Sequence, residues 1–267
     1  MTATPYVAMP NSFRRDLRAG KTLIGCWASL ANNVTTEILG YAGFDWLLID
    51  GEHAPNDWQT FIGQLQALKD SPSAPVVRPQ WAEPVILKRL LDIGFYNFMM
   101  PCVESAEQAR LAVAATRYPP RGTRGVGVLQ RSNRFGYTPD YFSRVNDEIC
   151  VTVQIESPEG VAHVDAIAAV DGVDALFIGP SDLSAGYGHL GETTHPDVCK
   201  AVDRVVAVGQ SRGKPVGILA TVESEARRYL EMGMTYVAVG GDVGLLKNAS
   251  KALHDRFAVP HANDDAR

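Results

Sequence analysis

Four stretches of the chain place polar side chains at or just after short apolar runs. The run at 46–50 ends in Asp50 and leads into Gly51, Glu52 and His53, and the run at 75–79 contains Arg78. The run at 150–156 ends in Gln154, Ile155 and Glu156, and the run at 175–179 is followed by Pro180, Ser181 and Asp182. If the last two runs are neighbouring strands, the carboxylates of Glu156 and Asp182 approach one another. Two such acids in a partly dry rim repel unless a cation holds both. Oxygen-only ligation with positions left open suits Mg²⁺ or Mn²⁺, whereas a catalytic zinc normally takes His or Cys ligands. The alternative for this pair is a helix cap and a surface charge.

Arg78 sits among apolar residues, where an unpaired charge is costly, so it needs an anionic partner: Glu52, or an oxygen of a bound substrate. A guanidinium beside a metal stabilises a developing oxyanion. His53 follows a strand end, with Asp50 three residues before it, and a neutral imidazole there can accept a proton at physiological pH. The segment opened by Ser181 and Asp182 offers free backbone N–H groups to a carboxylate or phosphate, and Gly240 and Gly241 offer a weaker cradle of the same kind. No lysine falls in a strand: Lys21, Lys69, Lys88, Lys200, Lys214, Lys247 and Lys251 all read as helical or as preceding strands, which disfavours covalent imine chemistry.

Positioning these groups requires the elements between them. Short β-branched or aromatic runs alternate with longer amphipathic stretches along the chain. The pattern predicts strands at 23–29, 46–50, 75–79, 97–101, 150–156, 175–179, 215–220 and 236–240. Helices are predicted at 34–43, 57–70, 82–93, 105–116, 159–169, 196–212, 222–232 and 243–257, with an extra N-terminal helix near 11–19. Ser105 reads as a helix cap, Pro158 and Pro196 as first-turn residues, and Gly213 as a helix stop. The predicted architecture is a single-domain α/β (β/α)₈ TIM barrel with its core at about 11–257, in preference to a doubly wound sheet, which lacks its Gly-rich first turn here. The connection at 118–149 is too long for a plain barrel unit and is either a solvated insertion or a substrate or subunit-contact loop. Residues 261–267 read as a frayed tail.

Composition narrows the function. The 267 residues carry 25 Lys plus Arg against 30 Asp plus Glu, a formal net charge of -5, with no basic stripe to read a nucleic-acid backbone or anionic membrane. No apolar run is long enough to span a bilayer and no leader is evident, so a cytoplasmic location is the expectation. The four cysteines, Cys26, Cys102, Cys150 and Cys199, lack paired zinc spacing, and they read as buried, reduced thiols with three of them in strands.

The segments AGFDWLLIDGEHAPND, APVVRP, LKRLLDIGFYNFMMP, RYPPRGTRGVG, VQIESPEGV, FIGPSDLSAGYGHLG and YVAVGGDVG resemble the HpcH/HpaI family of metal-dependent pyruvate aldolases over about residues 11–257. The resemblance implies reversible retro-aldol cleavage of a 2-keto-3-deoxy sugar diacid to pyruvate and tartronate semialdehyde. A C7 keto-diacid or a keto-deoxy-rhamnonate is the alternative substrate. It implies that His53 is the proton acceptor, Arg78 the transition-state stabiliser, and Glu156 and Asp182 the ligands of a divalent ion, Mg²⁺ or else Mn²⁺ or Co²⁺. Gln154 and Ser181 would contact substrate, and the backbone at Ser181 and Asp182 would hold the pyruvate carboxylate. Asp92 matches the residue that raises the basicity of the histidine. Asp92 is predicted at the end of a helix, on the face opposite His53, so either the helix boundary is displaced or the contact crosses subunits. A trimer-of-dimers homohexamer with exchanged C-terminal helices is the implied assembly. In the long connection, VLQRSNRFG departs from the small-residue run of the C7-cleaving relatives. A phosphate-ester hydrolase and a silent keto-acid-binding barrel are the competing classes; the lack of ligands for a second metal weighs against the first.

Overall fold

The computed structural model describes residues 4–258; the tail expected at 261–267 lies outside them. Eight parallel strands close into one barrel in chain order: β1 (Leu23–Ala28), β2 (Trp46–Asp50), β3 (Ala74–Arg78), β4 (Asn97–Met100), β5 (Cys150–Ile155), β6 (Ala175–Ile178), β7 (Val216–Leu219) and β8 (Tyr236–Gly241). β8 pairs with β1 to complete the ring. The fold is the expected (β/α)₈ barrel, and every strand boundary falls within one residue of its predicted place.

The period-2 pattern within the strands separates two layers. Leu23 and Trp27 of β1, Trp46 and Leu48 of β2, Ala74 and Val76 of β3, Met99 of β4 and Tyr236 and Ala238 of β8 pack with one another inside the barrel. The alternate residues, among them Leu47, Ile49, Val77, Val151, Val153 and Ile155, pack outward against the helices. Continuing the inward series along each strand arrives at Asp50, Arg78, Gln154 and Glu156, so the polar residues cap the interior at the strands' C-terminal ends. Gly25 makes the lower layer possible: a Cβ there would lie 2.0 Å from Cε2 of Trp46. The Trp46 ring instead reaches Tyr236, with centroids 4.3 Å apart.

The helices are α1 (Ser12–Arg18), α2 (Asn33–Tyr41), α3 (Trp58–Ala67), α4 (Pro84–Ile93), α5 (Ala106–Ala115), α6 (Tyr141–Arg144), α7 (Pro158–Ala162), α8 (Val164–Ala168), α9 (Pro180–Gly186), α10 (Pro196–Arg212), α11 (Glu223–Glu231) and α12 (Asp242–Asp255). The sequence signals for helix ends hold: Ser105 caps α5 by accepting from the Gln108 N–H, Pro158 and Pro196 open α7 and α10, and Gly213 ends α10 in the left-handed region at φ 62°. The helix expected at 159–169 is broken at His163, whose φ of -100° and ψ of 7° divide α7 from α8. The short helix α9 was not expected; Pro180 at its first position starts it. α1 closes the N-terminal mouth, inserting Phe13 and Leu17 into the interior layer.

The connection at 118–149 is neither an open loop nor part of the catalytic rim of its own barrel. Its 3-10 segment Arg131–Gly136 packs beside α4, where Arg131 Nη1 donates to the Ile93 carbonyl and Tyr96 Oη donates to the Ser132 carbonyl. Both anchors precede β4 and so lie toward the N-terminal side.

α12 differs from the other barrel helices. Asp242 is buried, but every residue from Val243 to Ala258 is exposed, including Leu245, Leu246, Leu253 and Phe257. No helix among the described residues is long and apolar enough to cross a membrane.

Candidate active site

β2 and β3 pair with Asp50 opposite Arg78, which sets the first polar contact. Arg78 Nε donates to Asp50 Oδ1 at 2.9 Å and Nη2 donates to Oδ2 at 2.7 Å, a two-pronged pair between buried side chains. Arg78 Nη1 lies 2.9 Å from Glu52 Oε2. The guanidinium therefore meets its structural partners and faces the mouth at once. Two of its five N–H donors make hydrogen bonds, both to Asp50, and Nη1 faces Glu52 as an ion pair, which leaves N–H groups for another oxygen. Burial opposes the charge on Arg78, but Asp50, then Glu52 and Glu156, hold its pKa above the ordinary guanidinium value. Trp27 of β1 flanks the group, with its ring centroid 5.7 Å from Cζ.

Glu156 stands just past β5 and is only 7% exposed. Its Oε1 accepts the backbone N–H of Cys102 at 2.6 Å and its Oε2 accepts from Gln154 Nε2 at 2.9 Å. Burial raises its pKa; the Cys102 N–H opposes this, and the charges of Glu52 and Asp182 add to it. Glu52 is raised in the same way, by burial first, against the pull of Arg78. Three acids thus share one field: Glu52, Glu156 and Asp182. Asp182 is exposed in the first turn of α9, next to exposed Ser181, where the backbone N–H groups have no partner within the helix. Gln154 is buried, and its Oε1 has no hydrogen-bond partner among the described residues. Close approach of β6 to Glu156 depends on Gly179, where a Cβ would lie 2.5 Å from Glu156 Oε2.

The structure brings Asp50, Arg78, Gln154, Glu156, Ser181 and Asp182 to one mouth and sets His53 at its edge. His53 is the most open member, its side chain 65% exposed. Asp50 does not touch the imidazole. Its Oδ1 accepts the backbone N–H groups of Glu52 and His53 and so shapes the turn, while the acid beside His53 Nε2 is Glu52, at 3.9 Å.

Asp92 lies elsewhere. It is inside α4, so the helix boundary is not displaced, and its Oδ1 pairs with Arg124 Nη2 at 2.8 Å. Arg124 lies over the Tyr118 ring, 4.3 Å from its centroid, so within one chain Asp92 fastens the start of the long connection.

Sequence reasoning missed Cys102. Far from standing in a strand, it is half-buried and left-handed at φ 53°, an uncommon conformation for a non-glycine residue, and this turn aims its N–H at Glu156. Burial first, then the charge of Glu156, pushes its thiol up to about 12. Asp242 was missed as well. Its carboxylate accepts the N–H groups of Ser29, Leu30 and Val243, and so occupies the amides beside the Gly240 and Gly241 cradle. A cluster of His189, Glu192 and His195 also brings its donor atoms within 4.8 Å, but His195 Nδ1 accepts from the Asp197 N–H and caps α10. All seven lysines lie outside the strands.

With this geometry in view, comparisons with known proteins agree. A match to the HpcH/HpaI aldolase/citrate lyase family spans residues 23–249. The chain is 59% identical over 248 residues to a 5-keto-4-deoxy-D-glucarate aldolase of Citrobacter koseri, covering 93% of this chain and 96% of that protein. It is also 59% identical to the enzyme of the same name from Escherichia coli K12, covering 93% and 97% of the two chains. A crystal structure of an HpcH/HpaI aldolase/citrate lyase family protein from Burkholderia cenocepacia superposes with a TM-score of 0.90 at 44% identity, covering 93% of this chain and 100% of that one. The chain belongs to the HpcH/HpaI aldolase/citrate lyase family and is an aldolase, a carbon–carbon lyase.

Proposed function

We propose that the protein cleaves a six-carbon 2-keto-3-deoxy sugar diacid to pyruvate and tartronate semialdehyde, reversibly and with a divalent ion. The relatives' substrate name describes the same compound: a 5-keto-4-deoxy glucarate counted from its other carboxylate is a 2-keto-3-deoxy diacid. The observation that carries the reading is the meeting of Glu52, Glu156 and Asp182 with Arg78 at one barrel mouth.

The donor set fits a hard divalent cation. Glu156 is buried, forms no salt bridge among the described residues and is repelled by two neighbouring acids, and the unpartnered Gln154 Oε1 adds a neutral oxygen beside it. Glu156 and Asp182 would hold the ion, Mg²⁺ in preference to Mn²⁺ or Co²⁺. When bound, it supplies Lewis-acid polarisation of the keto oxygen.

The remaining work falls to the chain. Arg78, through N–H donors that Asp50 does not use, stabilises negative charge as it develops on the C2 oxygen; its bonds to Asp50 fix the guanidinium so that little reorganisation is needed. The Ser181 and Asp182 amides receive the carboxylate of the keto-acid end, and Gln154 and Ser181 contact the substrate. His53, at the open edge, takes the C4 hydroxyl proton directly or through water. The C3–C4 bond then breaks, its electron pair passes to C3, and protonation of C3 gives pyruvate. The three carbons from C4 to C6 leave as the aldehyde. Asp92 reaches a histidine only across a subunit boundary in this reading, since its own chain's Asp92 is held by Arg124.

The exposed α12 supports an exchanged-helix assembly. Its apolar residues Leu245, Leu246, Leu253 and Phe257 are uncovered, and α2 presents a matching stripe of Val34, Ile38 and Tyr41 at helical spacing. Exchange of α12 between two copies, built up to a trimer of dimers, buries both.

The test is a coupled assay of pyruvate release on C6 and C7 keto-diacids, before and after chelation. Cleavage of the C6 substrate that is lost on chelation and restored by Mg²⁺ is the expected result. Undiminished turnover by metal-free enzyme overturns the mechanism, and a preference for the C7 substrate overturns the specificity.

A further inference from the structure

The opposite end of the barrel carries a cluster of charge that the aldol reaction does not use. A cavity of about 320 Å³ opens beside α1 at the N-terminal side of the strands, and its wall is almost wholly polar. Five cations line it: Arg14 and Arg18 from α1, Arg117 and Arg121 from the segment after α5, and Lys214 from the turn before β7. Only three acids accompany them, Asp147, Asp171 and Asp174.

The pairing leaves positive charge over. Asp174 is shared between Arg14 Nε at 3.0 Å and Arg18 Nε at 3.5 Å, and it also accepts the Val151 N–H. Asp147 is taken by Arg121 at 2.7 Å. Lys214 Nζ donates only to the Val173 carbonyl among the described residues, at 2.6 Å. Arg117 is the decisive member. It is 7% exposed, forms no salt bridge among the described residues, and its Nε is buried without a hydrogen-bond partner. Its guanidinium rests on Gly172, where a Cβ would lie 2.6 Å from Nη2. Burial and then the charge of Arg121 hold the Arg117 pKa below its usual value, and burial does the same to Lys214. A buried, unpartnered guanidinium beside further cations is costly in an empty site and favourable once an anion enters.

We propose that this cavity is a binding site for a small, multiply charged oxyanion, a phosphate or the phosphoryl group of a small metabolite, held by Arg117, Arg18 and Lys214. The site is separate from the catalytic mouth, so binding stabilises the fold and does not compete with the keto acid. Planar guanidinium forks suit a tetrahedral oxyanion, and the cavity volume is at the small end for a metabolite site.

The test uses the full-length enzyme treated with chelator, which removes any ion at the catalytic mouth. Inorganic phosphate and a three-carbon phosphomonoester are titrated by calorimetry and thermal unfolding against chloride at matched ionic strength. The expected result is saturable phosphate binding and a rise in Tm of roughly 2–4 °C at about ten times Kd. Arg18→Ala combined with Lys214→Met, both partly exposed positions, weakens binding about tenfold or more while aldolase kinetics without phosphate stay unchanged. Arg117→Met abolishes binding if it folds, and Arg117→Lys weakens it if the Met variant does not fold. Binding of inorganic phosphate alone assigns the site to the free ion, and tighter binding of the ester assigns it to a metabolite. No stabilisation beyond chloride, or equal affinity in the Arg18 and Lys214 double variant, overturns the proposal.

Discussion

Arg78 and Asp50 form a buried, two-pronged ion pair across β2 and β3, with bonds of 2.9 and 2.7 Å, and this pair fixes a guanidinium that faces the catalytic mouth. The contact joins architecture to chemistry: the bonds that satisfy Asp50 are those that orient the unused N–H groups of Arg78.

Substituting either partner therefore affects both properties. Asp50→Ala removes the two-pronged partner of a buried charge and leaves it Glu52 alone, so it is expected to cost stability, up to about 3 kcal/mol, measured by urea unfolding. Arg78→Lys keeps the charge but cannot make the two-pronged contact, so it is expected to fold and lose about 10²–10³ in kcat. An Arg78→Lys enzyme with near-normal kcat assigns the residue to structure alone.

Much of this was legible in the sequence because a strand's alternation is a local property. The parity that buries Trp46 and Leu48 also turns Asp50 inward, and the parity of Ala74 and Val76 does the same for Arg78. What was not legible depends on backbone conformation and on packing between distant segments. Nothing in Met100, Pro101 and Cys102 announces a left-handed residue that donates to Glu156, and the sequence alone suggested a strand thiol. The sequence places Asp50 three residues before His53 but does not show that Asp50 is consumed by Arg78 and two backbone N–H groups, which leaves Glu52 nearest the imidazole. The position of the long connection depends on Tyr96 and Ile93 meeting residues more than thirty positions away, which no local pattern encodes.

The Cys102 turn gives a second prediction. A β-branched residue is strained in the left-handed region, so Cys102→Val is expected to lose about 1–2 kcal/mol of stability. It also shifts the amide that Glu156 accepts, so the apparent affinity for Mg²⁺ should fall in an activity titration. Cys102→Gly adopts the conformation freely and keeps the amide in place. Equal metal affinity in the Val, Gly and parent enzymes removes the amide from the account.

The uncovered face of α12 predicts an assembly defect. Leu246→Glu places a charge on an exposed residue of the helix, so it should leave the isolated barrel intact while destroying a helix-exchange contact. Light scattering is expected to show a smaller species with an unchanged circular dichroism spectrum. A variant that keeps the parent's mass removes α12 from the interface.

Asp92 separates two roles that one chain cannot distinguish by inspection. Within the chain it pairs with buried Arg124, so breaking that bond from either side should lower stability, more so from the Asp92 side, which leaves the guanidinium charge buried without its carboxylate. On the proposed cross-subunit reading, the contact with a neighbouring subunit's His53 would be made by Asp92 and not by Arg124. Asp92→Asn is therefore expected to lower kcat about tenfold or more, the range of a group that supports an acid–base residue, while Arg124→Gln lowers Tm with kcat preserved below the transition. A dimer-disrupting α12 variant should reproduce the kcat loss of Asp92→Asn without its loss of the Arg124 bond, because separation removes the partner's carboxylate from His53. If Asp92→Asn and Arg124→Gln lose stability and kcat in parallel, the carboxylate serves only to fasten the long connection, and His53 works with Glu52 as its nearest acid.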